Sequence, residues 1–139
     1  MKKIILTATA AVLAAVLAWP AGADEVRFKA ATFIPKIDPS LEPVFQFFDR
    51  VNATGKGQVR IDYIGGPEAV PTMQLVNSVK GGVIDIGIVP TTFLKGAVVE
   101  VDAMQLSMLT FAETRKVGAV EYLDRMLREK HNVHLLTSY

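Results

Sequence analysis

The stretch from Leu75 to Thr92, LVNSVKGGVIDIGIVPTT, constrains the fold most, because its hydrophobic period changes twice within a few residues. Before the glycines, Met73, Val76, Val79 and Lys80 recur at three- and four-residue intervals, with Lys80 as the polar end of the stripe. That spacing predicts a short amphipathic helix with its apolar stripe turned inward. Gly81-Gly82 supplies the positive φ that ends a helix at little steric cost. From Val83 to Val89 the chain is a β-branched run interrupted only by Asp85 and Gly87, the composition of a strand covered on both faces. Pro90-Thr91-Thr92 then closes the strand with a breaker and two hydroxyls. In open α/β sheets ligands sit just outside the carboxyl ends of strands, so Thr91 and Thr92 are candidate ligand contacts.

Elements of the same kinds flank this unit. Val26–Phe33 alternates weakly and reads as a first strand, ending near Phe33-Ile34-Pro35. Leu41, Val44, Phe45, Phe48 and Val51 fall on one helical face, with Phe47 beside the stripe. Ser40 is the preferred N-cap over Asp38, since it puts Pro43 in the first turn, where a missing N–H costs little. Asn52 to Gly57 is a turn cluster, and Val59, Ile61 and Tyr63 alternate with Arg60 and Asp62 as a half-exposed strand. Gly65-Gly66-Pro67-Glu68 is a second loop at a strand's carboxyl end. The span Val98 to Leu109 reads as a strand or an irregular connection. Thr110-Phe111-Ala112-Glu113 is a capping box, followed by a helix carrying Val117, Val120, Leu123 and Leu127. Arg125, Arg128 and Lys130 crowd its C-terminus, where the helix dipole favours cations. Val133–Thr137 reads as a last strand. The order β-α-β-α-β-(linker)-α-β predicts an α/β fold with a largely parallel sheet.

The first residues stand outside this pattern. Met1-Lys2-Lys3 is cationic, Ile4 to Ala18 is apolar except for Thr7 and Thr9, and Ala21-Gly22-Ala23 matches a small-x-small cleavage site. The apolar run is short for a membrane span of about 20 residues, and no basic patch follows it. Residues 1–23 are therefore expected to be a signal peptide cleaved after Ala23, with a mature domain from Asp24 to Tyr139 that is exported and not inserted in the membrane. Without Lys2 and Lys3, the 15 basic residues fall to 13 against 14 acidic ones. No basic run interleaves with aromatics, which argues against a nucleic-acid partner. The absence of cysteine excludes a disulfide framework, a thiolate nucleophile and a thiolate metal site.

No catalytic constellation emerges. His131 and His134 are three apart but separated by the turn residue Asn132, with no third ligand nearby, so surface and strand positions suit them better than a metal pair. Glu100 with Asp102 and Glu121 with Asp124 lack an accompanying base or nucleophile and read as solvated faces. No serine lies in a G-x-S-x-G elbow, and neither glycine pair forms a phosphate loop. No cofactor is implied. Asp85, at the start of a buried strand, reads as a backbone-bonding residue. Glu68 is open between two roles. It could accept from a ligand hydroxyl or bind a cation at the mouth of the sheet, or it could stabilise the helix N-terminus near Pro71.

These residues carry a resemblance to a known family. FKAATFIP (28–35), RIDYIGGPEAVPTMQLVNSVKGGVIDIGIVPTT (60–92) and VDAMQLSMLTFAETRKVGAVEYLDRML (101–127), behind a signal peptide, resemble the solute receptors of tripartite ATP-independent periplasmic (TRAP) transporters, the DctP-type family. The middle block is the specific one, and the likeness runs from about Val26 to Tyr139. It implies the N-terminal lobe of a type II periplasmic binding protein that closes on a small organic acid and hands it to a membrane permease. Carried onto matching positions, the contacts of this lobe are Phe33 and Pro35 with Ile34 between them, Glu68, and Thr91, Thr92 and Phe93 after Pro90. The family chain continues into a second lobe that supplies an arginine for the ligand carboxylate. This sequence ends before that position, and Arg115, Arg125 and Arg128 on the capped helix do not replace it. A second lobe is thus expected to be missing, with Tyr139 near the crossing point. A proline common in the family before Glu100 is absent. The alternatives are a non-binding fragment or interaction module and, further off, a small exported enzyme.

Overall fold

Among the described residues, three short strands run parallel in the order β2-β1-β3, and each is followed by helix. The computed structural model describes residues 24–96 and 98–136. The strands are β1 (Val26–Thr32), β2 (Val59–Gly65) and β3 (Ile86–Ile88). The helices are α1 (Glu42–Thr54), α2 (Leu75–Lys80), α3 (Val101–Gln105), α4 (Phe111–Lys116) and α5 (Ala119–His131). Single 3-10 turns at Pro39–Leu41, Thr72–Gln74 and Thr91–Leu94 precede or join them. Among the described residues, no helix is long and apolar enough to cross a membrane. The expected signal peptide, Thr137 and Tyr139 lie outside the described residues.

β1 occupies the middle of the sheet because its last three residues are small and carry little polarity. Ala30, Ala31 and Thr32 are fully buried. Ala30 pairs with Tyr63 on one side and Ile86 on the other, and the β1–β2 register slips between Ala30 and Ala31. Successive side chains of a strand point to opposite faces, so the two alanines seed separate cores. Ala30 packs with Ile61 and with Leu41, Val44 and Phe48 from α1 and the turn before it. Ala31 packs with Val70, Leu75 and Ile84 around α2. A third cluster, Leu94, Val98, Val101, Leu123 and Leu127, is built by α3, α5 and the turn after β3, with Val76 and Val89 against it. The α/β fold with a parallel sheet agrees with the sequence expectation.

Several local expectations need correction. Asp38, not Ser40, is the cap of the Pro39–Leu41 turn, accepting from the Ser40 N–H at 2.9 Å and its hydroxyl at 2.7 Å. Pro43 does lie in the first turn of α1, as expected. That helix runs on to Thr54, so Asn52 is helical, and its side chain clamps both backbone groups of Ile61. In α2 Val76 and Val79 pack against the cores as expected, but the fully buried residue is Leu75, while Lys80 is exposed and Met73, in the turn before the helix, is 79% exposed. The helix lies so close to the sheet that a Cβ on Gly87 would come within 2.8 Å of Val79 Cγ2 and 3.6 Å of Leu75 Cγ. Gly82 supplies the expected positive φ, at 70°.

The strand expected over Val83–Val89 shrinks to Ile86–Ile88 and is half-buried. Its beginning is diverted. The amides of Val83 and Ile84 turn back to the Ser78 carbonyl, and Asp85 exchanges two hydrogen bonds with Lys29, its N–H donating to the Lys29 carbonyl and its carboxylate accepting from the Lys29 N–H at 2.8 Å. The expected backbone-bonding role of Asp85 is what the structure has. Val98 to Leu109 contains α3, neither strand nor irregular throughout, since Val98 and Val101 sit one turn apart and are both fully buried. The helix expected after the capping box is two helices, α4 and α5, separated at Gly118, whose φ of 78° a helix interior does not tolerate. Val117 consequently faces outward. Val133–Leu136 pairs with no strand; the Leu135 N–H donates instead to Asp124 Oδ1 at 2.9 Å. The order is therefore β-α-β-α-β-α-α-α.

Candidate functional site

Parallel strands put all their carboxyl ends on one edge, and this edge gathers the residues that the sequence singled out. β1 leads into Phe33-Ile34-Pro35, β2 into Gly66-Pro67-Glu68, and β3 into Pro90 and the turn Thr91–Leu94. The first and third loops meet directly. The rings of Phe33 and Phe93 lie 6.1 Å apart at 52°, and the Phe33 N–H donates to the Ile88 carbonyl at 3.0 Å. Thr72, in the turn before α2, donates its hydroxyl to the Phe33 carbonyl at 2.9 Å. Phe33 and Phe93 are half-buried, while Pro35 and Thr92 are exposed at the rim. An aromatic pair with one exposed hydroxyl beside it suits a small ligand with an apolar body and a polar group.

Two of the predicted residues are engaged within the protein. The Thr91 hydroxyl accepts from Gln105 Nε2 at 3.3 Å, which ties the rim of the third loop to α3. The carboxylate of Glu68 accepts from the Gly66 N–H at 2.7 Å. That backbone hydrogen bond, with a second from its own N–H, holds the Glu68 carboxyl below its ordinary range. Glu68 thus bonds its own loop and not the first turn before α2. Thr92 and Phe93 also line an open groove of about 580 Å³ beside α2, with Met73, Val76, Asn77 and Lys80. Among the described residues, Lys80 is the one charged residue lining it, at the end of the stripe that the sequence turned inward.

The residues that sequence reasoning missed lie one layer below. Thr32 is fully buried, and its hydroxyl donates to the Ile34 carbonyl at 2.7 Å. Its oxygen lies 3.0 Å from the Tyr63 hydroxyl. Thr72 and Gln105 hold the first and third loops as described. The available signal was a hydroxyl at the last position of a strand ending in a candidate loop, which marks Thr32; nothing local marks Gln105.

The other candidates do not join the site. His134 Nδ1 is 3.5 Å from Asp124 Oδ1, and Asp124 also pairs with Arg128 at 3.1 Å. Asp102 pairs with Lys95 at 3.1 Å, and Glu100 approaches Lys130 at 3.8 Å. Glu100 is half-buried, with one carboxylate oxygen enclosed and without a partner, so it is less solvated than its spacing implied. Arg125 stacks over the Tyr122 ring at 5.2 Å, within α5. Among the described residues, no group of three His, Cys, Asp or Glu side chains could hold a metal ion.

No family model matches the sequence. Among solved structures, the chain is similar to DctP6, a Bordetella pertussis extracytoplasmic solute receptor binding pyroglutamic acid, with a TM-score of 0.61 and 16% identity. The match covers 76% of this chain and 36% of that chain, so the chain spans about a third of that receptor's length. At this identity the likeness establishes the fold alone, and that structure is of the receptor type that the sequence motifs resemble. The chain has an α/β fold similar to that of the matched part of this receptor.

Proposed function

We propose that the chain is the first lobe of a periplasmic TRAP-type solute receptor, exported by cleavage after Ala23, that binds a small organic acid and delivers it to a membrane permease. The observation that carries this reading is the meeting of Phe33 and Phe93 at the carboxyl edge of a parallel sheet whose fold is that of a solute receptor. In this reading the two rings pack against the body of the acid, and the exposed hydroxyl of Thr92 bonds one of its polar groups. The acid's carboxylate is met by the arginine that the family resemblance assigns to a second lobe. Closure of two lobes on a ligand draws its driving force from contacts made to both at once. Residues 24–139 alone supply one wall and are expected to bind weakly. The role is binding and not catalysis, because the edge presents aromatic rings and neutral hydroxyls, with its carboxylate turned into its own loop.

Titration of the exported protein with pyroglutamate and other small organic acids, followed by NMR and calorimetry, tests this. The expected result is a set of shifts confined to Phe33–Pro35 and Thr91–Phe93, saturating in the millimolar range. No response at those residues would sink the binding reading, and a submillimolar dissociation constant would sink the single-wall account. A second reading, an interaction module, is favoured by the apolar side chains of Leu106 and Met108, which are 84% and 99% exposed between α3 and α4. Concentration-dependent self-association without any response to acid would support that reading instead.

A further inference from the structure

We propose that Tyr63 is a positioning residue that fixes the Phe33–Pro35 loop in its ligand-ready place before any solute arrives. The inference rests on the reading of this edge as a solute site. It starts from proton counting. Thr32 has a single hydroxyl hydrogen, and its 2.7 Å contact with the Ile34 carbonyl, an acceptor only, consumes it. In the 3.0 Å contact between Thr32 and Tyr63, the donor must then be the tyrosine. The result is a directed relay: Tyr63 O–H to Thr32 Oγ1, Thr32 O–H to the carbonyl of Ile34. Each donor polarises the next, so the relay is stronger than two isolated bonds.

The loop has few alternatives once this relay forms. On its other side the Ile34 carbonyl abuts the second loop so closely that a Cβ on Gly66 would lie 2.7 Å from the oxygen. Gly66 is itself held by Glu68 through its N–H. The Tyr63 ring is gripped as well: it stands edge-on to Phe45 at 5.0 Å, and the ammonium of Lys36, just past Pro35, lies 5.8 Å from its centroid and 5.3 Å from that of Phe45. Both distances are within cation–π range. Tyr63 thus reaches the loop at both ends, through Thr32 at its start and Lys36 at its finish. Phe33, between them, is presented to Phe93.

The test uses the protein expressed from the full sequence and exported, as wild type, Tyr63→Phe, Thr32→Val and the distant control Val120→Ala. The first readout is hydrogen exchange at two amides that the loop geometry protects, Phe33 N–H to Ile88 and Asp38 N–H to Pro35. In Tyr63→Phe and Thr32→Val these should exchange about fivefold faster than wild type, the factor that one hydrogen bond of ordinary net strength supports. Exchange in β1 and β2 should change less, and the Phe33–Phe93 ring contact should weaken. The second readout is pyroglutamate. The midpoint of its shifts should rise about fivefold in the two loop variants, the same one-bond factor, and stay unchanged in Val120→Ala. If both variants leave the two amides and the ring contact unchanged, or alter them only in step with the rest of the sheet, the proposal is overturned. If the loop responds and pyroglutamate shifts nothing even in wild type, the positioning role stands and the solute reading fails.

Discussion

The carboxylate of Glu68 accepts its hydrogen bond from the Gly66 N–H, and a group so held is easier to keep ionised in the folded chain than in the unfolded one. Its folded pKa is depressed below the ordinary 4.5, so the unfolded state takes up the proton first as the solution is acidified. The stabilisation is complete above the unfolded value and is lost as pH falls through the folded one. Glu68→Gln keeps an oxygen that can accept from Gly66 but removes the charge. The expected outcome is a melting temperature below wild type at about pH 6, with the gap closing towards about pH 3. Thermal melts of the two proteins across that range measure it. A gap that is the same at every pH would mean that the charge contributes nothing. Asp38, Asp62 and Glu113 are also held below their ordinary values, the first two chiefly by side-chain hydrogen bonds from Ser40 and Arg60 and the third by the Thr110 backbone N–H, but they titrate in both proteins and cancel in the difference.

A helix of six residues such as α4 cannot be sustained by propensity, because nucleation costs more than so few bonds return. Its capping box supplies the difference. The Thr110 N–H and hydroxyl both donate to Glu113 Oε2, at 2.8 and 2.7 Å, and the Thr110 oxygen accepts from the Glu113 N–H at 3.3 Å. Thr110→Ala should therefore lower stability by about 1 kcal/mol, and Thr110→Ser by much less. Urea denaturation resolves the two, and equal losses would assign the effect to the threonine methyl group instead. The box was readable in the sequence because every contact lies within four residues. What followed was not. The stripe of Val117, Val120 and Leu123 runs through Gly118 without interruption, so only a backbone angle marks the break, and periodicity carries no information about that angle. VHLLT looked like a strand because alternating apolar residues are all that a sequence displays, whereas a strand exists only where an edge pairs with it. Asp124 took the Leu135 N–H instead. The site divides in the same way. That Phe33, Glu68 and Thr92 would share one edge followed from the alternation of strands and helices. That Glu68 would turn back to the Gly66 N–H depended on the backbone path of its own loop, and that Gln105 would reach Thr91 depended on how α3 docks beside the third loop, and no spacing rule encodes either.

At the scale of the whole molecule, the two rings that meet at the edge belong to different cores. Phe33 packs on Ala31, Val70, Leu75 and Ile84, the core beneath the sheet. Phe93 sits in the turn whose Leu94 belongs to the cluster of Val98, Val101, Leu123 and Leu127. Val89 touches both clusters and, with the Phe33–Phe93 ring contact, joins them. Cores joined through so few side chains open with separate free energies, and the helical one, to which no strand contributes a buried residue, should open first. Leu123→Ala tests this. Leu123 is almost fully buried, and its truncation should cost the helical core about 2–5 kcal/mol. Amide exchange should then accelerate through α3 and α5 and in the Thr91–Leu94 turn, while Ala30 and Ala31 in β1 keep most of their protection. Uniform acceleration across the sheet would mean one cooperative unit. The unequal outcome would bear on the proposed solute site: there the Phe33 wall is tied to the sheet through Thr32 and Tyr63, so adjustment to a ligand would fall to Phe93 and Thr92. Adaptation of that proposed site would then be carried by α3 and α5, through Leu94 and the Gln105–Thr91 hydrogen bond.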